Sequence, residues 1–463
     1  MNYSDFFYNK RETLFVIMQQ LEVENLIKDE SLFELKALVK ELEVSEGGPD
    51  RHPLGNSGHV TVFPKTEQEI SSVLTYANTN KHTVAIMGGG SKRGYGGLLE
   101  LADILLSLAQ YTGIVEHNPG DMTLTVKSGT PFNVIQNYLA QYKQKIPLDP
   151  FSPNHATIGG IISANDSGPK RLGYGSARDN VIGLRMVYPD GTLIRSGGKV
   201  VKNVAGYDMN KLFIGAMGTL GVVSEVTVKL RPIAKYQSIL LVSFPENNIE
   251  KIRAFAVKAL DSMIEPISLE ILNPSIAGKL TNINQFTLLI SFEDVKSSVL
   301  YQEDTIRGIL PDKTTLTILP QDEAETCWSK FYALQPNAYL DLKTEAVLKI
   351  GVTNLDVITI LQEAELISDT CHVSIEAHGG LGTGLCQMAI SGASDDVVSA
   401  IKLVRKLADQ LGGYAVVKHL PYSLRAEVNA WGDSTASHFL LEGIKQKIDP
   451  NRILNRNRYV GGI

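Results

Sequence analysis

Directly after the apolar run Val84-Ala85-Ile86-Met87 the chain reads Gly88-Gly89-Gly90-Ser91-Lys92-Arg93-Gly94-Tyr95-Gly96-Gly97. Glycines this dense let a backbone lie close against a ligand, and free N–H groups there can cradle a phosphate. A second loop, Pro153-Asn154-His155-Ala156-Thr157-Ile158-Gly159-Gly160, continues through Ser163-Ala164-Asn165-Asp166-Ser167-Gly168 and reads as a tight turn with exposed donors. From Gly159 to Pro232, close-set glycines, small polar residues and short β-branched strands alternate, which suits a flat, phosphate-bearing ligand. The loops do not have the G-x-x-x-x-G-K-[ST] spacing of a nucleotide-triphosphate loop. No glycine set matches G-x-G-x-x-G in a strand–helix context, and no G-x-S-x-G elbow occurs, so a dinucleotide Rossmann site and an α/β-hydrolase are both disfavoured.

The run from Gly159 to Pro232 resembles the second half of the FAD-binding domain of the vanillyl-alcohol oxidase / p-cresol methylhydroxylase (PCMH) family. Its VVKNVAGYDMNKLF...GTLGVVSEVTVKL segment is most similar to the FAD-binding subunits of bacterial glycolate oxidases. The strand–helix–strand–glycine-loop order from His59 is also how that family's domain begins, so the resemblance covers roughly residues 58–232. It implies an α+β fold: a PCMH-type FAD-binding domain with an α+β cap, an antiparallel sheet covered by helices. It implies FAD contacts from Gly88, Gly89, Gly90, Ser91, Gly94 and Tyr95 in the first loop. In the second loop it implies contacts from Thr157, Ile158, Gly159, Gly160, Ala164, Asn165 and Ser167. Tyr174-Gly175-Ser176-Ala177-Arg178-Asp179 matches the family's Y-G-S-x-R-D turn; either Arg178 and Asp179 form an ion pair fixing the turn, or Gly175, Ser176 and Asp179 lie near the flavin. Gly221, Val222 and Val223 would line the ribityl and adenine side.

In the tail, Leu454-Asn455-Arg456-Asn457-Arg458 stands where the family has L-N-P-G-R, leaving Asn455 as a flavin neighbour. Asn tolerates the left-handed backbone that the lost glycine would have taken, so the turn can survive with Asn457. Members that attach FAD through the first loop carry a histidine where this chain has Gly90, so non-covalent FAD is expected. Ala377-His378-Gly379-Gly380-Leu381-Gly382-Thr383-Gly384-Leu385 resembles the H-A-G-D-G-N-L-H motif by which sister D-2-hydroxy-acid dehydrogenases bind a divalent metal. Here the second histidine is Leu385 and the acidic position is Leu381, and one imidazole is a poor divalent site, so no metal is expected. His378 either satisfies a turn or faces substrate. Lys170, Arg171, Arg93 and Lys202 are candidates to grip a carboxylate.

The elements that must position these residues fall into four parts: residues 1–50, a helical extension; 51–233, the FAD-binding domain; 234–430, the cap; and 431–463, a segment returning to the FAD domain. In the extension Leu32, Phe33, Leu35, Leu38, Val39 and Leu42 recur at helical spacing, and Gly47-Gly48-Pro49-Asp50 breaks the helix. Thr66 and Glu69 form a capping-box pair opening a helix to about Asn80. After Pro232 two successive series of strands and helices follow. They comprise strands near 238–244, 267–272 and 286–292 with helices near 247–262 and 294–309, then strands near 348–352, 373–377, 385–391 and 414–418 with helices near 355–367 and 395–411.

At 463 residues, with 43% hydrophobic and 20% charged residues, the chain has the composition of a globular protein of two or three domains. A net charge of −6 without a dense basic block argues against nucleic acid as partner. No apolar stretch approaches the ~18 residues of a membrane span. The three cysteines, Cys327, Cys371 and Cys386, are not in C-x-x-C spacing, which argues against a disulfide framework or a cluster ligated by this chain alone. The expectation is an FAD-dependent oxidation of a 2-hydroxy acid such as glycolate or D-lactate. The chain would act in the cytoplasm, peripheral to the membrane through partners: a second FAD subunit and an iron–sulfur subunit. The rival reading is a non-catalytic FAD-binding or electron-relay subunit whose sister chain holds the active site; an oxidase acting alone on a sugar or alditol is a third.

Overall fold

The computed structural model of the chain describes residues 34–39, 42–44, 52–97, 101–198, 206–245, 248–334, 345–433 and 436–463. Lys202 and the break at 47–50 lie outside the described residues, as do Leu32 and Phe33. Among the described residues three sheets of four or more strands carry the architecture.

The first sheet holds β1 (Leu42–Val44), β2 (Ser57–Val62), β3 (Val84–Met87) and β4 (Leu101–Ser107) in the order β1-β2-β4-β3. β2 and β3 run parallel to β4. The parallel ladder needs a crossover, and helix α1 (Glu67–Asn80) supplies it. Both halves of the expected capping box form: Glu69 N–H donates to Thr66 Oγ1 at 3.1 Å, and Thr66 N–H donates to Glu69 Oε2 at 3.1 Å. Ile70, Val73, Leu74 and Ala77 recur on one face of α1 and are fully buried against Val62, Val84, Ile104 and Leu106. Each large aliphatic side chain so buried contributes about 1.5–3 kcal/mol. Residues 34–38 are helical and Leu35 and Val39 join this core, but Leu42 starts β1, antiparallel to β2. The helical spacing that included Leu42 therefore overruns a strand, because pairing with the β2 edge wins over local periodicity.

The second sheet, all antiparallel, holds β5 (Ile114–Asn118), β6 (Thr123–Lys127), β7 (Val181–Val187), β8 (Leu193–Gly197) and β9 (Val222–Lys229), in the order β5-β6-β9-β7-β8. Helices α2 (Phe132–Ala140) and α3 (Ile158–Ala164) contribute to the core on it.

The third sheet is eight-stranded and antiparallel: β10 (Tyr236–Ser243), β11 (Ser268–Leu272), β12 (Thr287–Asp294), β13 (Thr315–Pro320), β14 (Glu345–Gly351), β15 (Ser374–Gly380), β16 (Leu385–Ser391) and β17 (Tyr414–His419), ordered β13-β10-β12-β11-β15-β16-β14-β17. Helices at Ile249–Leu260, Lys296–Ile309, Asp356–Cys371 and Ser394–Gln410 share one core with it, as the antiparallel, helix-covered expectation required. Two further helices, Pro274–Thr281 and Asp322–Ala333, cover one end of the opposite face and were not legible in the sequence. Elsewhere on that opposite face Lys418 pairs with Asp166, and Glu293 with Lys145 and Lys170. The tail reaches the first sheet: Leu454 bridges Val84 in parallel, and Asn455 N–H donates to Val84 O at 2.9 Å.

Candidate active site

The first glycine loop leaves β3 and passes directly under the second loop. A Cβ on Gly89 would stand 1.9 Å from His155 O, so glycine there is required by the contact between loops. A Cβ on Gly160 would meet nothing nearer than Thr157 Oγ1 at 3.3 Å, yet Gly160 lines the cleft between the loops. Its bareness serves that cleft. Two arginines occupy carbonyls of the first loop. Arg458 donates to Tyr95 O and Lys92 O, both at 2.8 Å, and Arg425 donates to Gly94 O and to Gly96 O. The backbone N–H groups of Gly89, Gly90, Ser91 and Lys92 have no acceptor among the described residues. Four successive donors without a partner form a seat for anionic oxygens.

The cleft is walled by the two loops, by Met217, Gly218 and Gly221–Val223, and by Asn455 and Arg458. Asn455 has the left-handed φ of +40° and ties two walls together, accepting from Ile86 N–H at 2.8 Å and donating to Met217 O at 2.7 Å. Asn457 takes φ +64°, so the turn survives without the family's glycine. Of the residues expected at the cofactor, Gly88, Gly89, Gly90, Ser91, Thr157, Gly159, Gly160, Ala164, Gly221, Val222, Val223 and Asn455 are brought together here. Ile158, Asn165, Ser167, Gly94, Gly175, Ser176 and Asp179 are not part of this wall. Ile158 is core, and Ser167 accepts from Arg171. Asn165 caps helix α3, with its Oδ1 buried and unpartnered. Asp179 accepts from Ser176 N–H and Oγ, each at 2.8 Å, closing a capping box, while Arg178 donates to Lys211 O and Ile214 O. The Y-G-S-x-R-D turn is thus held by helix capping instead of the Arg178–Asp179 pair. The backbone N–H groups of Ile158, Gly159 and Ile161 are taken by Thr130 O, Ser128 O and Thr157 O and are not open to a ligand.

A second, smaller cavity opens beside the first and shares Ser91 and Lys92 with it. Its volume is about 40 Å3, and Tyr95, expected at the cofactor, lines this cavity instead. Asp166 sits between two ammonium groups, Lys92 and Lys418, each 3.2 Å away. Burial pushes the Asp166 carboxyl up, but the two cations outweigh it and hold the pKa at about 2. Lys418 also donates to Gln387 Oε1 at 3.0 Å and lies 4.2 Å over the Phe151 ring. Lys349 stands opposite Gln387 in the β14–β16 register; burial, with Lys418 and Arg171, lowers its ammonium to about 8. His419 is kept neutral, its pKa lowered to about 4 by burial and the nearby Arg425 and His52.

His378 lies within β15, one layer behind this cavity. Its Nδ1 is 2.7 Å from Glu270 Oε2, its Nε2 has no partner, and the rings of Phe331 and Phe151 flank it at 4.9 and 6.2 Å. Burial raises the Glu270 carboxyl, opposed by the imidazole. Among the described residues no group of three or more His, Cys, Asp or Glu could hold a metal. Of the expected carboxylate grips, Lys170 pairs with Glu293, Arg171 donates to Ser167, and Arg93 lines the larger cleft. Lys418 in the small cavity and Lys349 on the neighbouring strand were missed. The available signal was a charge inside an apolar strand, Lys349 in AVLKIG and Lys418 in AVVKH.

The sequence pattern of an FAD binding domain family matches residues 59–197. The chain is 31% identical over 222 residues to a mitochondrial D-lactate dehydrogenase [cytochrome] of Arabidopsis thaliana, covering 48% of this chain and 38% of that protein. It is 31% identical over 254 residues to glycolate oxidase subunit GlcD of Bacillus subtilis, covering 51% and 53%. It is 34% identical over 168 residues to glycolate oxidase subunit GlcE of Escherichia coli, covering 36% and 47%. These matches span about half or less of each relative's length. A solved structure of p-cresol methylhydroxylase with substrate bound shares the fold, with a TM-score of 0.74 at 14% identity over 93% of this chain and 96% of that one. The unpaired donors of the first loop and the bare face of Gly160 fit a flat, pyrophosphate-bearing cofactor in the larger cleft. Residues 59–197 of the chain are an FAD-binding domain of the PCMH type, and FAD is its cofactor.

Proposed function

We propose that this chain oxidises a short 2-hydroxy acid, glycolate or D-lactate, to the 2-oxo acid. The observation that carries the reading is the cationic small cavity next to the FAD cleft, sharing Ser91 and Lys92 with it. The similarity to glycolate oxidase subunits and D-lactate dehydrogenases supports it. In the reaction the alcohol loses a hydride from Cα and a proton from its hydroxyl. When bound, FAD supplies the two-electron acceptor for that hydride. Residues 88–93 and 221–223, with Thr157, Gly159, Gly160 and Asn455, hold the cofactor without a covalent bond, and the 234–430 unit closes over it as a cap. In this reading His378 takes the hydroxyl proton at Nε2, with Glu270 fixing the ring through Nδ1. Phe151, which flanks the imidazole at 6.2 Å, also lines the cavity. No helix among the described residues is long and apolar enough to cross a membrane. The electrons leave to a partner, and we place the chain in a glycolate oxidase-like complex with a second FAD subunit and an iron–sulfur subunit.

One observation favours a second reading. His378 is enclosed and Leu385 stands at the second histidine position, which suits an FAD-binding relay subunit whose partner does the chemistry. Steady-state dye reduction by the purified chain with glycolate, D-lactate and D-2-hydroxyglutarate decides between them. Turnover with a short acid supports the first reading; turnover only after the partner chain is added supports the second.

A further inference from the structure

The wall of the small cavity holds three charged side chains, Lys92, Lys418 and Asp166. Two ammoniums share one carboxylate, and the neighbouring His419 is neutral. One positive charge is therefore left without a counter-ion in the wall. An ammonium has three donors. Lys418 spends one on Asp166 Oδ1 and one on Gln387 Oε1; the third has no acceptor atom among the described residues, only the ring face of Phe151. Lys92 is similar, with Asp166 Oδ2 at 3.2 Å and Ser91 Oγ at a marginal 3.5 Å. A buried cation with a spare donor is costly unless a ligand completes it. The location is fixed from both sides of the molecule. Asp166 belongs to the second loop and accepts Phe151 N–H at 3.0 Å, while Lys418 is placed by β17 next to a register irregularity against β14.

We propose that Lys418, assisted by Lys92, is the anchor for a single carboxylate, and that this cavity selects small monoanions over dianions and uncharged alcohols. The proposal rests on the 2-hydroxy-acid reading for what the anion is. Charge sets the first half of the selection, since one carboxylate neutralises the wall and a second would be left unpaired. Size sets the other: the cavity is small, about 40 Å3, which disfavours a five-carbon diacid more than an acid of two or three carbons. A lysine in this place is a specificity determinant that sequence position alone does not reveal.

The test uses the FAD-loaded chain and three non-reacting probes: oxamate, a monoanion; oxalate, of nearly equal size but a dianion; and glycolamide, uncharged. Each is titrated while the flavin absorbance is recorded. Oxamate should perturb the spectrum and saturate, with oxalate at least tenfold weaker and glycolamide without effect. Lys418→Met should raise the oxamate Kd by roughly ten- to a hundredfold, the scale of one charged hydrogen bond, with FAD content unchanged. If that variant loses FAD, Lys92→Met and the oxamate–oxalate ratio of the unaltered chain carry the decision. Equal binding of oxamate and oxalate, or a Kd unmoved in Lys418→Met, overturns the proposal. The two ideas fail separately. Oxamate binding without flavin reduction by glycolate or D-lactate removes the oxidation reading and leaves the anion site; reduction with KM unchanged in Lys418→Met does the reverse.

Discussion

Gly160 separates what the fold needs from what the cofactor needs. It lies in helix α3 at ordinary helical φ, and a Cβ there would meet only Thr157 Oγ1, at 3.3 Å. Replacing glycine by alanine inside a helix stabilises by roughly 0.5–1 kcal/mol. Gly160→Ala should therefore raise the stability of the FAD-free protein. Gly160 lines the FAD cleft, so with a methyl added there the affinity should fall. Gly160→Val adds more bulk, and overpacking of about 1–3 kcal/mol corresponds to roughly 5- to 150-fold weaker FAD binding. The assay is a pair of measurements on each variant: thermal unfolding of the stripped protein, and FAD titration followed by fluorescence quenching. Opposite signs in the two are the expected result. Gly89→Val is a poor substitute, because its Cβ would collide with His155 O and damage fold and cofactor site together. A Gly160→Val protein that purifies fully yellow with unchanged FAD affinity refutes the placement of the cofactor.

With Gly90 in place of the attaching histidine, acid precipitation should release yellow FAD into the supernatant; flavin retained in the pellet contradicts non-covalent binding. Elemental analysis should find well under one metal per chain, because Leu381 and Leu385 offer no ligand atoms; one tightly held zinc, manganese or iron per flavin would restore a metal-assisted mechanism. Asp166 and Glu293 have carboxyl pKa values of about 2, below the ordinary 3.8 and 4.5. A depressed acid stabilises the fold above its unfolded pKa and loses that contribution as pH falls toward the folded value. At about 1.36 kcal/mol per pKa unit, these are worth about 2 kcal/mol for Asp166 and about 3 kcal/mol for Glu293. The urea midpoint should accordingly drop steeply between about pH 4.5 and 2, and a flat profile there contradicts the buried ion pairs.

Much of this was legible in the sequence because local chemistry and tertiary structure agree. The Thr66–Glu69 capping box, the strand Val84–Met87 and the strand Leu385–Ser391 stand where their residues place them. The glycine loops were readable as a cradle, and Asn457 as a surviving turn, because both depend on backbone conformation. What was not legible depends on long-range partners. Gly88 and Gly89 look like cofactor glycines but owe their bareness to Thr157 and His155 on another loop. The helix Asp322–Ala333, which brings Phe331 against His378, has no motif. The Lys92–Asp166–Lys418 bridge joins residues up to 252 positions apart, so no local pattern announces it.

The most direct test of the central claim is an anaerobic mixture of the purified, FAD-loaded chain with glycolate or D-lactate, alone and without partners. The account predicts loss of the flavin's visible absorbance and one glyoxylate or pyruvate formed per flavin reduced. A flavin that dithionite bleaches but neither acid touches, in a chain that is fully loaded and folded, would contradict it.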